Sequence, residues 1–122
     1  ETLSHLGQQE LDQTIYDRDT SWIKASNVLV AEVTTPSLGV GYEIGLAESL
    51  GKPVLCLHRA IDGRRTSPML VGNPRLQTRE YTDVNELSAV FGEFFTSVER
   101  PHSAKASRGR IALSVESNTH VR

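Results

Sequence analysis

A single cysteine, Cys56, stands in this 122-residue chain. That excludes an internal disulfide and a multi-cysteine zinc site, and it fits a reducing compartment, cytoplasmic or nuclear. No apolar run approaches the roughly 18 residues of a spanning helix, and no signal peptide is visible, so no membrane partner is expected. An excess of basic charge is also missing. The formal net charge is −2 and the isoelectric point is near 6.1, which points away from a polyanion surface and from nucleic acid. There are no internal repeats and no cluster of metal-ligating residues, so neither metal nor cofactor is expected. The chain opens on Glu1 rather than Met, already close to an apolar segment, and the expectation is that N-terminal residues are missing.

What is present is the make-up of one modest domain, with 38% hydrophobic and 23% charged residues. Residues 28–53 (VLVAEVTTPSLGVGYEIGLAESLGKP) organise it. The near-continuous apolar run 28–33 suits a parallel strand buried on both faces. Glu32 interrupts it, either facing a site mouth or held by hydrogen bonds in a structural role. Residues 34–41 (TTPSLGVG) read as a hydroxyl- and glycine-rich turn before a helix start, where a backbone approaches a ligand closely and N–H groups attract anions. Only Gly39-Val40-Gly41 fits the dinucleotide fingerprint, and no third glycine follows, so as a bare motif an ordinary strand-to-helix turn is the commoner meaning. Glu43 is expected in the first turn of the helix. Ile44, Ala47 and Leu50 give that helix its apolar face, Gly51 closes it, and Pro53 opens a second buried strand over 54–57 with a right-handed crossover. A carboxylate at the carboxyl end of a buried strand lies where open α/β sheets place their ligands.

Upstream, Asp12 is a plausible N-cap for a helix through Ala25, with residues 1–7 read as the tail of a strand running into a loop. Ile15, Asp19, Trp22 and Ile23 fall on one stripe of that helix, while Arg18 points mostly elsewhere. A carboxylate on such a stripe is paired, protonated or in use, unless a shift of helix phase leaves Asp19 in water. Downstream, Cys56 reads as an inert buried thiol and His58 as a strand-end residue, more often structural than functional. Arg59, Arg64 and Arg65 lie in a loop region, solvated in the commoner case and otherwise available to a phosphate. Ser67 precedes a short helix start. Residues 76–81 read as an edge strand, and Asp83 caps a helix to about Val98 whose Leu87, Val90, Phe91, Phe94 and Phe95 form a core or dimer stripe. From Glu99 the composition turns polar and basic. Residues 1–98 are therefore expected to form the domain and 99–122 a disordered tail, with IALSV its one apolar island.

The run DRDTSWIKASNVLVAEVTTPSLGVGYEIGLAESLGKPVLCL strongly resembles the 2′-deoxynucleoside 5′-phosphate N-hydrolases of the nucleoside 2-deoxyribosyltransferase superfamily. The resemblance is specific over residues 15–57, fainter to about Phe95, and absent after Glu99. It implies a doubly wound, flavodoxin- or Rossmann-like parallel sheet, usually in a homodimer. It implies cleavage of the N-glycosidic bond of a deoxynucleoside 5′-monophosphate, giving free base and 2-deoxyribose 5-phosphate. By the same resemblance Glu43 is the nucleophile, and Asp19 assists departure of the base and orients the sugar. Ser37 and the backbone at Gly39 hold the 5′-phosphate beside Gly41, Ser67 reaches in from the partner subunit, and His5 lies near the pocket.

The chemistry agrees with those roles. An anionic oxygen below an oxocarbenium-like carbon stabilises developing charge or bonds outright, and carboxyl groups about 5–5.5 Å apart fit the retaining route. A partly apolar surround from Trp22 and Ile23 is expected to suit Asp19 to acid work. One departure stands out: the family's first strand, normally in the middle of the sheet, and its substrate-binding loop are absent. Buried strands would lose a neighbour, at about 1–3 kcal/mol for each buried backbone group left unpaired. The alternative is thus a truncated, non-catalytic variant that binds nucleotide or dimerises. An enzyme acting on another nucleotide is a third reading, and its cytokinin-riboside-phosphate form is disfavoured because PSLGVGYE replaces a PGGxGTxxE-type loop.

Overall fold

The computed structural model describes residues 2–98 and 110–115, with side chains from residue 7 onward. The chain runs α1 (Thr2–Ala25), β1 (Val28–Glu32), α2 (Leu38–Ser49), β2 (Val54–Arg59), α3 (Pro68–Val71), β3 (Gln77–Tyr81), a 3-10 turn (Val84–Glu86), α4 (Leu87–Val98) and β4 (Ile111–Val115). The four strands form one sheet in the order β3-β2-β1-β4, with every neighbouring pair parallel. Helices cover both faces, as in a doubly wound α/β fold. Among the described residues no helix is long and apolar enough to cross a membrane.

Strand alternation divides the core in two. Leu29, Ala31 and Val33 of β1 and Val54 and Cys56 of β2 pack with Ile23 of α1 and with Val40, Ile44 and Ala47 of α2. Val28 and Val30 of β1 and Leu55 and Leu57 of β2 point the other way, against Val90 and Phe94 of α4. The central strands are therefore apolar on both faces, which is why β1 and β2 read as continuous hydrophobic runs. Gly51, at φ 74°, ends α2 as its left-handed residue, and Lys52 N–H returns to the Ala47 carbonyl at 3.0 Å.

Three sequence expectations give way. Residues 2–7 belong to α1 rather than to a strand. Asp12 lies inside that helix, its carboxylate accepting from Gln8 Nε2 at 2.8 Å, one turn back. The helix formers Leu, Gln and Glu carry the turn across Gly7, and no capping is needed at Asp12. Next, α2 begins at Leu38: the Ser37 hydroxyl is the N-cap and accepts from Val40 N–H at 3.2 Å, so Gly39 and Gly41 are helical and Glu43 falls in the second turn.

The third correction concerns the polar tail. Within it, Ile111–Val115 forms β4, paired with β1 from Val28↔Ile111 to Glu32↔Val115. Its small Ala112 and Ser114 face inward while Ile111 and Leu113 stay half exposed, a period-2 pattern too short to stand out in a basic segment. The entry is fixed by Asn27, whose N–H donates to the Arg110 carbonyl and whose side-chain oxygen accepts from Arg110 N–H, each at 2.8 Å. The β1 edge expected to lie open is thereby hydrogen-bonded.

Candidate active site

Asp19 and Glu43 come to one place from neighbouring helices. Both are buried, at 7% and 6% exposure, and both line a small void of about 20 Å³ with Trp22, Ile23, Leu29, Ala112 and Leu113. Asp19 therefore faces inward, and the phase shift that would have left it in water does not occur. Besides Trp22 and Ile23, the expected source of a partly apolar surround, a cation lies beside it. Arg18 Nε donates to Asp19 Oδ1 at 3.1 Å while its guanidinium lies 4.9 Å from the centre of the Trp22 ring, and Trp22 itself is 43% exposed. Arg18 thus turns back towards the stripe instead of away from it.

Glu43 has a partner that no local pattern announced. The hydroxyl of Ser114, at 1% the least exposed polar residue among those described, donates to Glu43 Oε1. Ser114 pairs in register with Ala31 at the centre of the sheet, so β4 lays its hydroxyl across the carboxylate from the β1 side.

A second, larger space opens at the carboxyl end of β1. This cleft of about 460 Å³ is lined by residues 33–38, Val40, Gly41 and Ile44 on one side and by Arg65, Thr66, Ser67, Met69 and Leu70 on the other. Ser37 and Ser67 thus share one cleft within a single chain, Ser67 also capping α3 by accepting from Met69 N–H at 3.1 Å. A Cβ at Gly41 would meet nothing within 4 Å, so the glycine leaves open space beside the first turn of α2. Gly39 sits in that turn, where N–H groups lack intrahelical acceptors and suit an anion. Glu43 is about 200° around the helix from Gly41 but only about 60° from Val40, which also lines the cleft, so the carboxylates and the cleft occupy adjacent sides of α2.

The remaining sequence candidates sort cleanly. His5 lies in α1, but its side chain falls outside the described residues. Glu32 takes the structural role, accepting from Thr34 N–H at 3.0 Å, the Thr34 hydroxyl at 2.7 Å and the Tyr81 hydroxyl at 2.6 Å. That bond to Glu32, above all, pushes the Tyr81 phenol above its ordinary range. Burial alone raises the Cys56 thiol to about 11, so it is an inert core residue. His58 is buried, with Nδ1 3.8 Å from Glu80. Of the loop arginines only Arg65 lines the cleft, and Ser114 is the residue that sequence reasoning missed.

The family model for nucleoside 2-deoxyribosyltransferase matches residues 1–107, which include both carboxylates and every cleft residue. The chain belongs to the nucleoside 2-deoxyribosyltransferase family. Within this family it is similar to proteins named 5-hydroxymethyl-dUMP N-hydrolase. That of Mus musculus is 41% identical over 106 residues, covering 84% of this chain and 61% of the mouse protein. That of Tetraodon nigroviridis is 42% identical over 106 residues, 76% of this chain and 74% of its own, and that of Danio rerio 39% over 104 residues, 82% and 72%. This chain thus spans under two thirds of the mouse relative's length. The family match ends at residue 107, before β4 and Ser114.

Proposed function

We propose that the chain hydrolyses the N-glycosidic bond of a 2′-deoxynucleoside 5′-monophosphate, with 5-hydroxymethyl-dUMP the first substrate to try. The observation that carries this reading is the meeting of two buried carboxylates, Asp19 and Glu43, beside one void in a chain whose relatives are named for that hydrolysis. In the proposed reaction a Glu43 oxygen attacks C1′ and the carbon–nitrogen bond breaks, its electron pair leaving with the base, which takes up a proton. Water then cleaves the glycosyl ester, restoring the carboxylate, releasing a proton that replaces the one the base took up, and giving 2-deoxyribose 5-phosphate with retention. Asp19, held by Arg18, orients the sugar and assists departure of the base. The 5′-phosphate lies at the first turn of α2, among Ser37, the Gly39 backbone, Arg65 and Ser67. From Ser37 to Glu43 the helix rises about 9 Å, a span that a nucleotide bridging phosphate and C1′ can follow. A homodimer, in the cytoplasm or nucleus, completes the proposal.

One observation favours a second reading. With β4 seated, the void beside the carboxylates has room for about one water, so the chain as described binds a phosphate more readily than it turns over a sugar. Calorimetry with 5-hydroxymethyl-dUMP, run beside a chromatographic assay for released base, separates the two. The enzyme reading predicts binding with base release that Glu43→Gln lowers at least about 10³-fold, and a full rate in that variant contradicts it. Binding with no release from the unaltered chain supports the module.

A further inference from the structure

We propose that β4 is a removable seal on Glu43, so that a sugar reaches the carboxylate only when the carboxyl-terminal half of this strand leaves the sheet. The inference rests on reading Glu43 as the reacting group. Three observations carry it. The Ser114 hydroxyl occupies Glu43 Oε1, while Ala112 and Leu113 wall the void beside it. That void is about 20 Å³, where a water needs about 10–15 Å³ and a deoxyribosyl ring is several times larger. The strand is also lightly held. Among the described residues it is an edge strand whose only strand partner is β1, it sends only Ala112 and Ser114 into the core, and Ile111 and Leu113 are more than half exposed. Segments with few buried apolar contacts and one hydrogen-bonded edge open at lower free energy than central strands. The seal lies beyond the family match, which ends at residue 107.

Val30 and Leu113 are register partners on neighbouring strands, and cysteines there lie within disulfide reach. In the Val30→Cys/Leu113→Cys variant the oxidised chain should bind 5-hydroxymethyl-dUMP at least about tenfold more weakly than the same protein after reduction, with release of base falling in parallel. Ser114→Ala, which removes one charge-assisted bond from the sealed state, should lower KM about tenfold. Equal affinity in the two redox states, or a Ser114→Ala variant whose kcat falls while KM holds, overturns the seal. A redox-dependent affinity with base release intact in Glu43→Gln upholds the seal while refuting Glu43 as nucleophile, so the two failures are told apart.

Discussion

Glu32 and Glu43 show how little a carboxylate's neighbours in sequence say about its work. Both sit near the same strand–helix junction, yet Glu32 is tied to Thr34 and Tyr81 whereas Glu43 meets Asp19 and Ser114. The difference is a matter of long-range partners. Removing the phenol oxygen with Tyr81→Phe should cost about 1–2 kcal/mol in urea denaturation, since Glu32 keeps its two Thr34 bonds, and should leave base release unchanged. Cys56 offers a pH test. Its thiol is held neutral up to about 11, above the range of an unfolded cysteine near 8.5. The stability this contributes is complete below the unfolded value and falls as pH rises through the folded one. Folded protein at pH 8 should therefore resist a thiol reagent that labels the urea-unfolded chain at once, and urea midpoints should drop between pH 9 and about 11. Asp19, inward on the stripe that its spacing defined, was legible in sequence. The turn of Arg18 back onto it was not, because a long flexible side chain chooses its partner after packing.

At the scale of elements, the strand–helix–strand unit was readable because each signal was local. A two-faced apolar run, a hydroxyl cap and a closing glycine agree on β1, α2 and β2. The boundaries shifted where glycines suggested a loop, although the Ser37 cap carries the helix through Gly39 and Gly41. Gly41 allows a separation of folding from binding. Gly41→Ala should raise stability by up to about 1 kcal/mol, since helix propensity improves and the added methyl meets nothing within 4 Å. The same methyl intrudes on the cleft, so affinity for a deoxynucleoside monophosphate should fall, as thermal unfolding and calorimetry on one preparation would show. By contrast β4 was hidden. Five residues with small inward side chains make a strand only because the edge of β1 receives them, and that pairing spans more than 80 residues.

For the whole molecule, the sheet keeps its two carboxylates and its larger cleft on adjacent sides of α2, with one helix joining them. The fold class and the carboxylate pair followed from strand and helix periodicity together with the family resemblance. The pairing of a carboxyl-terminal strand with β1, which brings Ser114 to Glu43, followed from neither. Stability should rest on the α4 face as much as on the site. Phe94→Ala, at a position with 1% exposure, should cost about 3–5 kcal/mol in denaturant unfolding and shift base release only through the loss of folded protein. The most direct measurement of the central claim is a single turnover of 5-hydroxymethyl-dUMP, quenched in acid and mapped by peptide mass spectrometry. A deoxyribosyl phosphate adduct on Glu43, lost in Glu43→Gln together with base release, is the predicted result. Free base formed at an undiminished rate by Glu43→Gln, with no adduct on any residue of α2, would contradict it.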